Sequence, residues 1–317
     1  MTFRRHVPFC CLTLVCLTGC AEHRSTEAPA TTQAASAPAT TGTTAAASAS
    51  PGNSAAPACP KGEVYVPPTG PEGFTMGKDY MKSDAPKMKD VGKGHRTHTD
   101  VPHTVVLTRP FCMDALEVTV REWIACMDAG NCEQPNTIRP FVTWPNQQDH
   151  PVNCVDWRAA KRYCELRGKT LPSEAQWEWA ATGGDGRTYP WGNEEPTCEH
   201  ADYVPGVLPS AAGDAGCHGG GPSPVGTHPK GDRKWPNGVI HDLAGNVWEW
   251  TLDNYLPYQH ERQVDPVHLT DESLAHSVRG GGWNRSHAGI RAAFRGGSRA
   301  GYQVPGLGFR CVRNPGS

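Results

Sequence analysis

The 317-residue chain has one short apolar run near its start and no hydrophobic stretch long enough to cross a bilayer, which takes about 20 residues. It carries no excess of either charge. A net charge of −2 removes the basic surface that nucleic acids select, so no nucleic-acid partner is expected. No two cysteines are spaced CxxC, which excludes zinc knuckles. Gly280 to Gly282 are followed by neither Lys-Ser/Thr nor a strand–helix pattern, so they form no phosphate loop. Ser286 and Ser298 lie outside any nucleophile-elbow pattern. Long helical periodicity is scarce as well.

What is present begins with Arg4 and Arg5, followed by an apolar run from Val7 to Leu17. The run ends in Leu17-Thr-Gly-Cys20, which resembles the lipobox of bacterial lipoproteins. The resemblance implies a signal peptide over residues 1–19, cleaved so that Cys20 carries the acyl (palmitate-type) chains. Several chains on one residue give durable membrane anchoring. An ordinary secretory peptide is the competing reading. Ala21, rather than Asp, points to the outer membrane of a Gram-negative cell envelope. From Glu22 to Pro57 the chain is mostly Ala, Thr, Ser and Pro. Such a segment cannot bury enough surface to offset the entropy of ordering, so residues 20–58 read as a tether. Residues 59–317 then form the folded domain, long enough for one large core or two fused lobes.

Three helices are expected. Thr119 to Ala129 places Val120, Trp123, Ile124 and Met127 at helical spacing, and Asp156 to Arg167 does the same for Trp157, Ala160, Tyr163 and Cys164. Ser173 to Ala181 opens with a capping box, Ser173 to Gln176, behind Pro172. Short strands are expected at Val64 to Pro67, His103 to Leu107 and Ser277 to Arg279. Between them run long Gly- and Pro-rich stretches.

The most informative stretch is Asp242-Leu-Ala-Gly-Asn-Val-Trp-Glu-Trp250. Gly245 and Asn246 tolerate left-handed backbone. Asp242, Asn246 and Glu249 offer hard oxygens, to which turn carbonyls add more, a mixture that suits Ca²⁺. The alternative is a rigid turn whose polar side chains bond their own backbone.

This loop stands in an ordered series with Phe74-Thr-Met-Gly77, Glu117-Val-Thr119, His150-Pro-Val-Asn-Cys-Val-Asp-Trp157, Leu171-Pro-Ser-Glu-Ala-Gln-Trp-Glu-Trp-Ala-Ala181, Tyr189-Pro-Trp-Gly-Asn193, Arg279-Gly-Gly-Gly-Trp283 and Leu307-Gly-Phe-Arg-Cys311. Over residues 62 to 313 the series resembles the sulfatase-modifying-factor family, whose best-known member is the formylglycine-generating enzyme. The resemblance implies a complex C-type-lectin-like α+β fold, poor in regular structure, with a few helices and small antiparallel sheets. It implies a structural calcium held by Asp242, Gly245, Val247 and Glu249, with Asp242 standing where the enzyme has Asn. A second calcium site maps to Asp202, Tyr203 and Asp214, its spacing disturbed by the Cys198–Cys217 insert.

The enzyme oxidises a sulfatase cysteine with O₂, using Cu(I) bound by two cysteines shortly after its Arg-Gly-Gly motif. Soft thiolates suit Cu(I). Here no cysteine lies between Trp283 and Cys311. Copper-dependent formylglycine formation by that mechanism is therefore expected to be absent. The same place holds Asn284, Arg285, Ser286 and His287, the candidates for a divergent centre. The His-x₃-His-x-Glu iron pattern of ergothioneine-type relatives does not occur. His95, His98 and His103 could bind a metal with their loop folded back; as ordinary loop residues they are solvated. Arg279, Arg291, Arg295 and Arg310 could line a cleft for an acidic ligand, or bridge to Glu174, Glu178 and Glu249.

An exported domain favours disulfides. Cys126 and Cys132 bracket a short loop, and Cys198 and Cys217 bracket an insert with little core of its own. By the family resemblance Cys164 pairs with Cys311. Cys112 and Cys154 are then left as partners and Cys59 is the odd one, unless some thiols stay buried and free. Two functional readings follow. The first is an envelope lipoprotein binding a peptide, glycan or protein partner. The second is an oxidoreductase or protein-modifying enzyme with a centre near His287. Replacing Cys20 by Ser should release the protein from membranes into the soluble fraction, checked by fractionation; a membrane-bound variant would refute the lipobox.

Overall fold

The computed structural model describes residues 59–78, 101–206 and 216–314. Cys20, the tether, His95, His98 and Asp214 lie outside the described residues. No described helix is long and apolar enough to cross a membrane.

The architecture is α+β. In chain order come β1 (Glu63–Val66), β2 (Phe74–Met76), β3 (His103–Val106), β4 (Phe111–Asp114), α1 (Val120–Asp128), α2 (Trp157–Glu165) and α3 (Glu174–Thr182). They are followed by β5 (Arg233–Trp235), β6 (Gly238–Ile240), β7 (Trp248–Asn254), β8 (Gln263–Val264), β9 (Ala275–Arg279), β10 (Arg295–Arg299), β11 (Leu307–Gly308) and β12 (Val312–Arg313). The helices begin where the sequence places their caps. Thr119 and Ser173 each close a full capping box, and Asp156 accepts from the Ala159 amide. Gly183 ends α3 in the left-handed conformation.

The strands form small sheets in the orders β1-β4-β12, β10-β9-β7-β11, β2-β3-β8 and β5-β6. Most pairs are antiparallel, as expected. β11 with β7 and β3 with β8 are parallel, a consequence of short strands returning from long loops. Two buried apolar clusters flank β7. One gathers Trp123, Trp157, Tyr163, Trp250 and Phe309; the other gathers Phe74, Phe111, Met113, Trp177 and Trp179. Since strands this short bury little by themselves, the tryptophans dominate the apolar area.

Disulfides join Cys126 to Cys132, Cys164 to Cys311 and Cys198 to Cys217, as expected. The remaining assignment is corrected: Cys112 is bonded to Cys59, and Cys154 is free and buried. A turn in which the Glu63 amide donates to the Pro60 carbonyl leads Cys59 into β1, and β1 pairs with β4, the strand carrying Cys112. Cys154 instead lies in the segment before α2, its amide donating to the Val304 carbonyl. Burial pushes its thiol up to about 11. Non-reducing peptide mapping should recover Cys59 linked to Cys112 and show Cys154 alkylated only after unfolding. Rapid alkylation of Cys154 in the native protein would contradict this arrangement.

Candidate functional site

The loop entering β7 is held from several sides. Asp242 and Asn246 adopt positive φ angles of 55° and 56°, and Gly245 one of 79°. A Cβ on Gly245 would meet the Asp202 carbonyl oxygen at 2.2 Å, so glycine is required there for close approach as well as for conformation. The Asn246 Oδ1 accepts from the Ser223 amide at 2.9 Å, and its Nδ2 donates to Glu117 at 2.7 Å. Glu117 is buried. Desolvation, with Asp242 and Glu249 nearby, holds its carboxyl well above the usual range.

Glu249 is fully buried and occupied. Its Oε1 accepts from Arg310 Nη2 at 2.7 Å, and its Oε2 accepts from Arg310 Nε and Trp177 Nε1, each at 2.8 Å. The Asp242 Oδ2 accepts from the Gly226 amide at 2.5 Å, while its Oδ1 lies 3.5 Å from His228 Nδ1. As folded, this arrangement does not fit the calcium shell that the resemblance assigns. The Glu249 carboxylate is paired with a guanidinium, and the Asp242, Asn246 and Glu249 side chains all bond within the protein. Of the second calcium set, the Asp202 Oδ2 accepts from Ser223 Oγ at 2.7 Å, and the Tyr203 hydroxyl donates to the Pro196 carbonyl at 2.6 Å. Among the described residues no group of three or more His, Cys, Asp or Glu side chains is placed to hold a metal.

The four arginines separate in the same way. Arg279 pairs with Glu174 and Glu178, and Arg295 pairs with Glu174. Arg291 donates from Nε to the Ala288 carbonyl and lies over the Phe294 ring. Bridging, rather than a ligand cleft, accounts for Arg279, Arg295 and Arg310. Among the clustered histidines, His103 is buried in β3 against Tyr258, with Nδ1 3.2 Å from the Val101 carbonyl.

The segment after Trp283 presents exposed Asn284 and Arg285, then Ser286 and His287. The Arg285 guanidinium lies over the Trp248 ring at 5.5 Å. Ser286 precedes a 3-10 turn, His287–Ile290. The His287 Nδ1 is 3.1 Å from the Gly206 carbonyl oxygen, which fixes that nitrogen as the donor. The four candidates are therefore brought together on one short segment, without a carboxylate bonded to the imidazole among the described residues. Trp283 itself is buried, with Nε1 unpartnered, and the half-exposed Phe141 ring packs edge-on at 5.0 Å. Phe141 was not legible from the sequence as part of this surface. Its φ of 64°, unusual for a bulky side chain, is visible only in the structure.

These features define a lectin-like α+β domain with a tightly bonded loop at the start of its central strand. Residues 59–315 match the family model of the sulfatase-modifying factor enzyme 1-like domain, and the chain belongs to that family. Among its relatives, the formylglycine-generating enzyme of Bos taurus is 32% identical over 205 residues, covering 62% of this chain and 52% of that protein. The inactive C-alpha-formylglycine-generating enzyme 2 of Mus musculus is 36% identical over 169 residues, covering 52% of this chain and 50% of that protein. The chain thus spans about half the length of these curated relatives. The solved structure of Treponema denticola variable protein 1 matches with a TM-score of 0.55 at 22% identity, covering 80% of this chain and 95% of that one, a likeness of fold alone.

Glu249→Gln should cost about 3–5 kcal/mol by leaving the Arg310 charge buried and unpaired. Thermal unfolding should show an equal loss with and without a chelator. A loss that disappears in chelator would assign Glu249 to calcium instead.

Proposed function

We propose that the chain is a lipid-anchored protein of the cell envelope whose sulfatase-modifying-factor domain binds a peptide, glycan or protein partner and does not install formylglycine. The observation that carries this reading is the state of the thiols. Every cysteine beyond Cys20 except Cys154 lies in a disulfide, and Cys154 is buried with its thiol pushed up to about 11. Chemistry that needs two thiolates on Cu(I) finds none here. A family relative described as inactive is consistent with the fold persisting without that chemistry. The binding surface in this reading is the face around Phe141 and Trp283, where an accessible aromatic ring adjoins the exposed Asn284 and Arg285. Aromatic and Arg side chains are the usual anchors of recognition surfaces.

A catalytic centre at His287 receives less support, because among the described residues its ring is bonded only to the Gly206 carbonyl and no carboxylate partners it. The protein incubated with a sulfatase-motif peptide, Cu(I) and O₂ should yield no aldehyde above a protein-free control by mass spectrometry. Formation at enzyme-like turnover would overturn the reading. Peptide and glycan arrays should give discrete ligands that Phe141→Ala binds at least tenfold more weakly; unaltered binding would place the ligand elsewhere.

A further inference from the structure

A cavity of about 620 Å³ opens on another face of the same loop system, lined in part by Gln147, His150, His218, Ser223 and His228. In its wall the Nε2 atoms of His218 and His228 face each other 3.2 Å apart. His228 is 3% exposed, and its Nδ1 has no hydrogen-bond partner but lies 3.5 Å from the Asp242 carboxylate. Asp202 lies within electrostatic reach of both imidazoles, and its buried Oδ1 is also unpartnered. The His228 Nδ1 and the Asp202 Oδ1 are thus out of water and unsatisfied, which ordinarily costs free energy unless a ligand completes them.

The Asp242 carboxylate favours the His228 tautomer with the proton on Nδ1. That choice leaves the Nε2 lone pair to accept from His218 Nε2–H in the metal-free protein, and it is also the form in which a backed imidazole ligates a metal. Two nitrogens bound to one tetrahedral zinc at its usual bond length stand about 3.3 Å apart. The observed 3.2 Å spacing matches this. The charge of the Asp242 carboxylate lies directly against His228.

We propose that His218 and His228 form a site for a divalent transition metal of the zinc class, with Asp242 orienting His228 and Asp202 supplying nearby negative charge. Imidazole nitrogens select this class over calcium, which takes oxygen ligands. No further His, Cys, Asp or Glu among the described residues completes a three-ligand group. The remaining coordination positions therefore face the cavity and fall to water or an incoming ligand.

The test is zinc binding to metal-stripped full-length protein by equilibrium dialysis and calorimetry, with Zn²⁺ alone as the probe. His218 is exposed, so His218→Ala should unfold like the wild type without metal while binding one zinc fewer per chain. His228→Ala should lose the same zinc, and His287→Ala should retain it. Asp242→Asn should weaken the site about 10- to 100-fold, as loss of an outer-shell carboxylate does. Zinc binding that is indistinguishable between wild type and His218→Ala, whether both bind or neither does, overturns the proposal.

Discussion

The structure depends on one buried ion pair. Arg310 is fully buried, and each of its N–H donors has an acceptor: Glu249 takes two, the Asp114 and Ala115 carbonyls share Nη1, and the His241 carbonyl takes the last. Through these bonds one guanidinium ties the end of β4, the end of β6 and the start of β7. Trp177 adds α3 by donating to the same carboxylate. Strands of two to seven residues bury too little by themselves to fix their mutual positions. A planar fork of charge-assisted bonds fixes them with directional precision. The desolvation cost is substantial, so the pair is better understood as specifying the fold than as a source of net stability.

A second network works the same way on the other side of β9. Glu174 receives Arg279 and Arg295; burial by itself would push its carboxyl up, and the two guanidinium charges outweigh this and hold it down to about 2. The two networks and the disulfides anchor loops that would otherwise be too long for a compact domain. Arg279 also donates to the Ala292 and Phe294 carbonyls, which ties chain beyond Trp283 into the same network.

Much of this was legible in the residues. The capping signals at Thr119, Asp156 and Ser173 marked the three helix starts, since a cap acts over only a few neighbouring residues. The carried-over Cys164–Cys311 bond and the Arg–Glu bridging alternative also hold. What failed was long-range. Cys59 borders the tether and reads from the sequence as the odd cysteine, while its partner is set by β1 pairing with β4 some fifty residues on. His218 and His228 were not singled out either. They lie in Gly- and Pro-rich chain with no periodicity, and only the folded backbone turns both Nε2 atoms toward each other.

The assignment of Asp242 and Glu249 follows from the same accounting. A calcium ion that took the Glu249 carboxylate would displace charge-assisted bonds from Arg310, each worth about 1.5–3 kcal/mol. It would also leave a guanidinium buried without its counter-charge, a penalty of several kcal/mol. Ca²⁺ at this loop would have to overcome both costs, whereas backbone carbonyls and Asp242 could contribute without them. Asp242, however, is already turned toward Gly226 and His228. The loop's two carboxylates thus serve two neighbours of different kinds: Glu249 holds the scaffold together through Arg310, and Asp242 orients an imidazole at the edge of a cavity. The first contact holds the fold; the second is the one on which the proposed metal site rests.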